Sequence, residues 1–254
     1  MKANYHTHTS LCGHASGEIE DYIKFGIENG LEILGFTDHV PYLYPNGYVS
    51  SGIRMKIEQA DYYINSLLHF KEKYKDKIKI LIGFEVEYYP ELFSSMLEYI
   101  KKYPIDYLIC GQHFLDNEYD TKIRTIAETE NKFHLTNYID TLCTAIDTGL
   151  FAYLAHPDLM NYRGDGDFYI KEYTRLCKYA KLHNIPLEIN ILGLKTKRNY
   201  PNDLFWEIAS GEGNDVIIAC DAHNPESVAN PEEVKLGYEY AKKFNIKPIE
   251  YLEI

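Results

Sequence analysis

The residues that first suggest chemistry are histidines and acidic residues in short motifs, and seven of the ten histidines belong to this set. Imidazole nitrogens and carboxylate oxygens together suit Zn, Mn or Fe ions. Nine such side chains are too many for one ion, whereas two or three ions that share bridging carboxylates would use them all. The set therefore indicates metal-assisted hydrolysis rather than a structural zinc. Its members are His6, His8, His14, His39, Glu85, His113, His156, Asp221 and His223.

Two motifs place ligand-type residues two positions apart. Side chains at positions i and i+2 of a strand project to the same face, so His6 and His8 could reach one ion together. Asp221 and His223 repeat this spacing near the other end of the chain. A lone His-x-His pair is a weak signal, and the prediction depends on the number of histidines in this setting. The histidines in helical patterns, which we expect to be ordinary packing or surface groups, are His69, His134 and His183.

Short apolar runs alternate with helical patterns along the chain. The runs resemble strands that are buried on both faces of a parallel sheet. In residues 18–29, Ile19, Tyr22 and Ile23 share one helical face, and Gly30 follows as a helix-end signal. Seven strand–helix alternations predict an α/β fold. The predicted strands are 3–7, 32–38, 78–86, 106–113, 152–156, 186–190 and 215–221, and the predicted helices lie near 18–29, 54–75, 90–103, 130–148, 167–183, 202–210 and 231–243.

The candidate ligands stand at the carboxyl ends of six predicted strands. An open sheet would spread these ends along a line in steps of about 4.8 Å, whereas a closed barrel gathers them into one ring. The ligand distribution therefore favours a barrel, and we expect residues 1–254 to form one domain. Segment 248–254 is interpreted as an eighth short strand or an edge piece. The long loops that follow strands on the ligand side are 41–53, 115–129 and 191–201.

Composition limits the possible partners. The net charge of −12 argues against binding of duplex nucleic acid, which requires a basic surface. It allows a small phosphorylated substrate, because bound cations change the local sign of the charge. The five cysteines form no Cys-x-x-Cys pair, which favours reduced thiols in the cytoplasm. No leader peptide or apolar run of about 18 residues is present, so we expect a cytoplasmic monomer or homodimer that does not bind membranes.

At these residues the chain resembles the PHP (polymerase and histidinol phosphatase) family of metal-dependent phosphoesterases, and the resemblance covers nearly the whole chain. Within the family it is most similar to the monofunctional histidinol-phosphate phosphatases, through the stretches 6–15, 83–87 and 111–114. The resemblance implies a distorted (βα)7 TIM-like barrel. The family motifs that carry it are His6-Thr7-His8, Thr37-Asp38-His39, His156-Pro157 and Asp221-Ala222-His223.

The same resemblance implies two to three divalent metal ions and a reaction. That reaction is hydrolysis of L-histidinol phosphate to L-histidinol and phosphate, a step of histidine biosynthesis, by attack of a hydroxide that bridges two metals. Glu85, Asp221 and His223 would be the catalytic residues. The implied ligand sets are His6, His8, Glu85 and Asp221 for the first metal, Glu85, His113 and His156 for the second, and His14, His39 and His223 for the third.

Residues outside the ligand set should decide the substrate. Arg163, Lys195 and Arg198 lie in segments after strands and are the candidates for binding the phosphate. Asp38 and Asn190 are expected to support ligands rather than to bind metal. The tyrosines of loop 41–53, Tyr42, Tyr44 and Tyr48, either cover the substrate or pack within the loop.

Three alternatives remain open at this point. The first is a PHP phosphoesterase that acts on another small phosphate ester, such as a nucleotide. The second, from a different class, is a non-catalytic metal-binding domain, which the complete ligand set opposes. The third is an amidohydrolase-like barrel, which also begins with His-x-His but usually carries a metal-bridging lysine, and no lysine stands at a predicted strand end.

Overall fold

Seven parallel strands form one sheet whose spatial order follows the chain. The structure is a computed structural model that describes residues 1–50, 52–120 and 122–254. Ser51 and Thr121, which belong to two of the predicted loops, lie outside the described residues. The strands are β1 (Ala3–Asn4), β2 (Ile33–His39), β3 (Lys79–Val86), β4 (Tyr107–Cys110), β5 (Phe151–Leu154), β6 (Leu187–Asn190) and β7 (Val216–Ala219).

Helices connect successive strands, and polar caps fix where several of them begin. Asn131, Asp165, Asn202 and Asn230 each accept hydrogen bonds from backbone N–H groups in the first turn of the helix that follows. None of the helices among the described residues has the length and apolar character needed to span a membrane. The helices are α1 (Ile19–Glu28), α2 (Ala60–Lys73), α3 (Pro90–Ile100), α4 (Lys132–Asp147), α5 (Gly166–Leu182), α6 (Ile191–Thr196), α7 (Asp203–Gly211) and α8 (Pro231–Lys243).

The first and last strands meet just beyond their ends. Thr7 and Ala222 form an isolated parallel bridge, in which the His8 N–H donates to the Ala222 carbonyl at 2.9 Å. The side chain of Asn4, in β1, accepts a hydrogen bond at 2.8 Å from the N–H of Cys220, which directly follows β7. This bond is a second link between the first and last strands. The sheet is therefore a nearly closed barrel, which confirms the predicted (βα)7 architecture.

Several sequence-based boundaries differ from those of the structure; for example, β4 ends at Cys110, so His113 lies beyond it, and the helix predicted from residue 54 begins at Ala60. Strand β1 has two residues rather than five, so His6 and His8 lie beyond it. The predicted loop 191–201 begins with helix α6, because the Asn190 side chain accepts a hydrogen bond from the Gly193 N–H. Segment 248–254 forms no strand; its Ile249 N–H donates to the Val216 carbonyl, which agrees with the second interpretation, an edge piece beside β7.

Side chains alternate between the inside and the outside of the barrel. On β3, Ile80, Ile82 and Phe84 pack outward into the main core with the helices, whereas Leu81 belongs to a second core cluster. Glu85 has the same parity as Leu81 and faces inward near the carboxyl end of the strand. An apolar cluster, called the plug below, thus fills the barrel near the amino ends of the strands and leaves the carboxyl ends for polar groups. The plug consists of Ala3, Tyr5, Leu81, Tyr107, Ile109, Tyr153, Ala155 and Ile217.

One contact in the plug requires a glycine. The Tyr107 hydroxyl crosses the interior and donates to the Tyr5 carbonyl at 2.7 Å. A Cβ at Gly35 would lie 2.0 Å from that hydroxyl oxygen. The absence of a side chain at Gly35 therefore allows Tyr107 to link β4 to the segment after β1.

We expect Gly35→Ala to lower the free energy of unfolding by about 1–3 kcal/mol, because the new methyl group overpacks the plug. In a Tyr107→Phe background the same change should cost less, since the clashing oxygen is gone. Urea unfolding of the two single variants and the double variant measures this coupling.

Gly26→Ala is the matched control, because a Cβ at this helical glycine meets its nearest atom at an ordinary 3.4 Å. It should leave stability unchanged or raise it by up to about 1 kcal/mol. Strictly additive effects of Gly35→Ala and Tyr107→Phe would contradict the contact.

Candidate metal centre

Glu85, near the end of β3, lies at the centre of the histidine cluster and is fully buried. Its Oε1 atom faces His156 Nε2 at 3.0 Å and His113 Nε2 at 3.6 Å. Both histidines follow the ends of neighbouring strands, β5 and β4, so the barrel brings them to one side of the carboxylate.

The other oxygen of Glu85 faces a different group of histidines. Glu85 Oε2 lies 3.1 Å from His39 Nδ1 and 3.5 Å from the Nε2 atoms of His6 and His8. One carboxylate thus has three imidazoles at one oxygen and two at the other. This is the arrangement that a carboxylate bridging two cations requires.

Asp221 completes the first group. Its Oδ1 atom lies 3.1 Å from His8 Nε2 and 3.5 Å from His6 Nε2, and these two Nε2 atoms are 3.2 Å apart. Their donor atoms all lie within 4.8 Å of one another. The structure therefore brings together the four side chains expected around the first metal, Glu85 included.

The three histidines expected around a third metal are less closely assembled. His14 Nε2 and His223 Nε2 are 3.0 Å apart, but the His14 and His39 ring centroids are 5.7 Å apart. Among the described residues, the sets whose donor atoms lie within 4.8 Å place His39 with His8 and Glu85, and also with Glu87 and His113. The third ligand set remains a prediction.

Several imidazole rings are held at Nδ1 so that Nε2 faces the centre. His6 Nδ1 donates to Glu188 Oε1 at 2.7 Å, and His113 Nδ1 donates to Glu87 Oε1 at 3.1 Å. His223 Nδ1 donates to the Asp221 carbonyl at 2.9 Å. Such outer contacts fix the tautomer and the ring orientation of metal-binding histidines.

The residues present fit a divalent cation. Both carboxylate oxygens of Glu85 and Oδ1 of Asp221 are buried and have no well-formed hydrogen bond to any residue that the structure describes. Buried carboxylate oxygens are strongly destabilising unless a donor or a cation compensates them. Imidazole and carboxylate donors also match the preference of Zn, Mn and Fe.

The electrostatic setting keeps the acidic groups charged. Burial by itself would raise the pKa of Glu85, but the charges of His113, His39 and His6 hold that pKa well below its usual range. Burial lowers the pKa of His223 to about 3. At neutral pH these groups are therefore an ionised carboxylate and a neutral imidazole, the states in which they bind metal.

Backbone strain occurs at two of the candidate ligands. His156 and Asp221 have φ angles of 32° and 50°, in or near the left-handed region that residues with a side chain rarely adopt. Each such conformation costs about 1–3 kcal/mol, which the surrounding structure must offset. The strain turns both side chains toward Glu85 just after their strands end.

A cavity of about 480 Å³ opens above the cluster. Of the three cations predicted to bind phosphate, only Arg198 lines it, beside Tyr200. Arg124, which follows β4 and which the sequence did not single out, also lines it. The remaining lining includes His14, His39, Gly52, Ile53, Thr125, Ile126, Leu159 and Leu192.

The other two cations do not line the cavity. Arg163 is absent from the cavity lining, and its Nε lies 3.9 Å from Glu128 at an exposed position. Lys195 is engaged by Ser227 and by Glu233 at 2.8 Å, because helix α6 turns its side chain toward α8. Neither position could be known without the path of the chain after β5 and β6.

The expected supporting residues contact ligands. Asp38 Oδ1 lies 3.5 Å from His8 Nδ1. Asn190 Nδ2 donates to Asp221 Oδ2 at 3.1 Å and to Glu188 Oε2 at 2.9 Å. The sequence analysis did not identify Glu188 as a supporting residue, although its inward parity with Asn190 on β6 is a usable signal.

The tyrosines of loop 41–53 do not line the cavity. Tyr42 is buried against Tyr89, and Tyr44 packs between Tyr48 and Tyr119. This favours the interpretation that they pack within the loop.

Known proteins share this fold and sequence pattern. A curated protein of Deinococcus radiodurans named "Probable histidinol-phosphatase" is 27% identical over 228 residues, which cover 88% of this chain and 86% of that protein. One of the same name from Schizosaccharomyces pombe is 24% identical and covers 96% and 86%. The crystal structure of histidinol phosphate phosphatase from Lactococcus lactis with zinc, L-histidinol and phosphate superposes with a TM-score of 0.72 at 19% identity, covering 98% and 95%.

The fold and the donor set define a distorted (βα)7 barrel protein with a candidate metal centre at the carboxyl ends of its strands. The pattern of the PHP domain matches residues 4–191, well over half of the chain. The chain belongs to the PHP domain family.

We expect Gly111→Ala to reduce bound metal, because a Cβ at this position would lie 1.9 Å from Glu85 Oε1 and displace the carboxylate. Elemental analysis of purified protein should give about two to three equivalents for the unchanged chain and at least one fewer for the variant.

The control is Gly166→Ala, whose Cβ would meet nothing within 4 Å. It should retain the metal content of the unchanged chain. A fully loaded Gly111→Ala protein with an unchanged circular dichroism spectrum would show that Glu85 is not a ligand.

Proposed function

We propose that this protein is a metal-dependent phosphomonoester hydrolase that converts L-histidinol phosphate to L-histidinol and phosphate in histidine biosynthesis. The observation that carries the proposal is the buried carboxylate of Glu85, which has five imidazoles divided between its two oxygens at the base of a cavity. The names of the curated relatives and the ligands of the Lactococcus lactis structure support the substrate.

Two to three ions of Zn, Mn or Fe are proposed as cofactors. Glu85 is suited to bridge two of them, because its two oxygens face separate groups of histidines. When bound, the ions supply positive charge for the phosphoryl oxygens and activate water near neutral pH. The proposed ligands are His6, His8, His14, His39, Glu85, His113, His156, Asp221 and His223.

The arginines of the cavity are proposed to bind the phosphate. A guanidinium matches two phosphate oxygens at once and keeps its charge at every physiological pH. Arg198 donates to the Tyr200 hydroxyl at 2.7 Å, a contact that limits its motion and leaves further N–H groups for the substrate. Arg124 lines the same cavity, so two guanidinium groups from different connections, after β4 and after β6, are available to the phosphate above the metal centre.

The remaining groups orient the reaction. Asp221 and Glu85 carry the negative charge that concentrates cations under the phosphate. His223 lines the cavity as a neutral imidazole, and a cation that it helped to hold would supply positive charge to the departing alcohol oxygen. We assign these three residues as catalytic.

The size and charge of the molecule favour a small substrate. A cavity of about 480 Å³ lies within the range of small-molecule sites, about 300–1,000 Å³. The net charge of −12 opposes binding of long nucleic acids. The five free cysteines are compatible with a reducing compartment, and we propose a single domain over residues 1–254 that acts in the cytoplasm.

A phosphate-release panel tests the function. With added Mn²⁺ or Zn²⁺, we expect kcat/KM for L-histidinol phosphate to exceed the values for AMP and p-nitrophenyl phosphate by at least about 100-fold, since a site that binds the substrate's polar groups rejects analogues that lack them.

Equal turnover of all three esters would favour a general phosphatase, and preference for AMP would favour a nucleotide-specific relative. A metal-loaded protein that releases no phosphate from any ester would indicate a non-catalytic domain.

Arg198→Gln and Arg163→Gln form a matched pair. Arg198→Gln should raise KM for histidinol phosphate by about 10-fold or more, the loss expected for one charged hydrogen-bond partner. Arg163→Gln should leave KM and kcat unchanged, because Arg163 lies outside the cavity. Steady-state kinetics at fixed ionic strength compares the two variants. A raised KM in Arg163→Gln together with an unchanged KM in Arg198→Gln would refute the proposed placement of the phosphate.

A further inference from the structure

A buried arginine lies beside the metal centre without belonging to it. The Arg54 side chain is 1% exposed and donates five hydrogen bonds, as many as a guanidinium has N–H groups. Its acceptors are the Val40 carbonyl at 3.1 Å and the carboxylates of Glu87 and Glu118. Arginine is rarely buried unless its charge is paired, so this position is specified by its partners.

The first partner leads directly to a candidate ligand. Arg54 binds both oxygens of Glu87, at 2.9 and 3.0 Å, which fixes the plane of that carboxylate. Glu87 Oε1 also accepts the Nδ1–H of His113 at 3.1 Å. The opposite nitrogen of His113 faces Glu85 Oε1 at 3.6 Å. A continuous chain of contacts therefore runs from the guanidinium to the central carboxylate.

The second partner joins two walls of the cavity. Arg54 belongs to the segment after β2, and Glu118 to the segment after β4. Arg54 Nε donates to Glu118 Oε2 at 3.0 Å, and the Glu118 side chain is also 1% exposed. Ile53 in the first segment and Arg124 in the second both line the cavity. The ion pair thus links the segments that carry these lining residues.

His113 depends on this support more than His6 does. The His113 side chain is 22% exposed, whereas that of His6 is fully buried. His6 is packed within the barrel against Glu188, a residue of strand β6. Glu87 lies just after β3, and its orientation is set by an arginine from a loop segment. Loss of that arginine should therefore affect the His113 side of the centre first.

We propose that Arg54 is a positioning residue that orients His113 through Glu87 and holds the two cavity walls together through Glu118. The inference rests on the proposed metal centre. Arg54 is not among the residues that line the cavity, and its third acceptor, the Val40 carbonyl, fixes the guanidinium to the backbone just after β2. Its side-chain partners, Glu87 and Glu118, are therefore the contacts through which it reaches His113 and the second wall.

Zinc release from the loaded full-length chain tests the proposal. Arg54→Lys keeps the positive charge but lacks the planar guanidinium, whose N–H groups bind both oxygens of a carboxylate at once. We expect one zinc equivalent to pass to a chromogenic chelator about 10-fold faster than from the unchanged protein, while the other equivalents are unaffected. This is the lower end of the effect on metal affinity of losing an outer-sphere partner, because His113 keeps Glu87. KM for histidinol phosphate should rise as well.

Glu118→Gln separates the two roles, because it loosens the walls but leaves the Arg54–Glu87 pair. It should raise KM and leave zinc release unchanged. Arg175→Lys is the control, since Arg175 also pairs with two carboxylates, Asp140 and Glu172, but at the surface between α4 and α5. It should change neither quantity.

Wild-type zinc release and KM in a folded Arg54→Lys protein would overturn the inference while leaving the metal centre intact. If Arg54→Lys does not fold, the inference requires Glu118→Gln to raise KM, and an unchanged KM overturns it. An unchanged protein that retains no zinc after loading would overturn both the inference and the proposed metal centre.

Discussion

The structure depends on one buried carboxylate. Glu85 is excluded from water and is surrounded by five imidazole rings, and neither of its oxygens has a well-formed hydrogen bond within the described part of the chain. Such a group is strongly unfavourable by itself, so the protein must bring positive charge to it. The glycine at position 111, which leaves room for the Glu85 oxygen, and the left-handed backbone at His156 and Asp221 are consequences of building around that carboxylate. A divalent metal pair is the compensation that the donor chemistry fits.

The barrel explains how so many donors reach one place. Inward side chains alternate along each strand, so an apolar plug at the lower end and polar residues at the upper end can belong to the same strands. Closure between Thr7 and Ala222 brings the motif after β1 beside the motif after β7, which are more than 200 residues apart. The proximity of His8 to Asp221 is therefore a product of the closed sheet.

Metal chemistry and substrate choice are located in different parts of the molecule. The donor atoms belong to strand ends and to the residues that follow them, where the sheet constrains position. The cations proposed to bind phosphate, Arg198 and Arg124, belong to longer connections whose course varies more easily. This division is consistent with a family whose members share a fold at low identity, as the match to the Lactococcus lactis structure at 19% identity illustrates.

The sequence by itself determined the number and order of the strands, the barrel class and the nine candidate ligands, because apolar runs and donor residue types at strand ends are local properties. It could not determine contacts that depend on where distant segments meet. Only the tertiary structure decided that His39 approaches Glu85, that Glu188 and Glu87 hold the rings of His6 and His113, and that Arg198 enters the cavity while Lys195 turns to Glu233. The contacts of His39 and His6 follow from barrel closure, the orientation of Glu87 from the buried Arg54, and the position of Lys195 from helix α6. None of these contacts can be predicted from a repeating pattern of residues in the sequence.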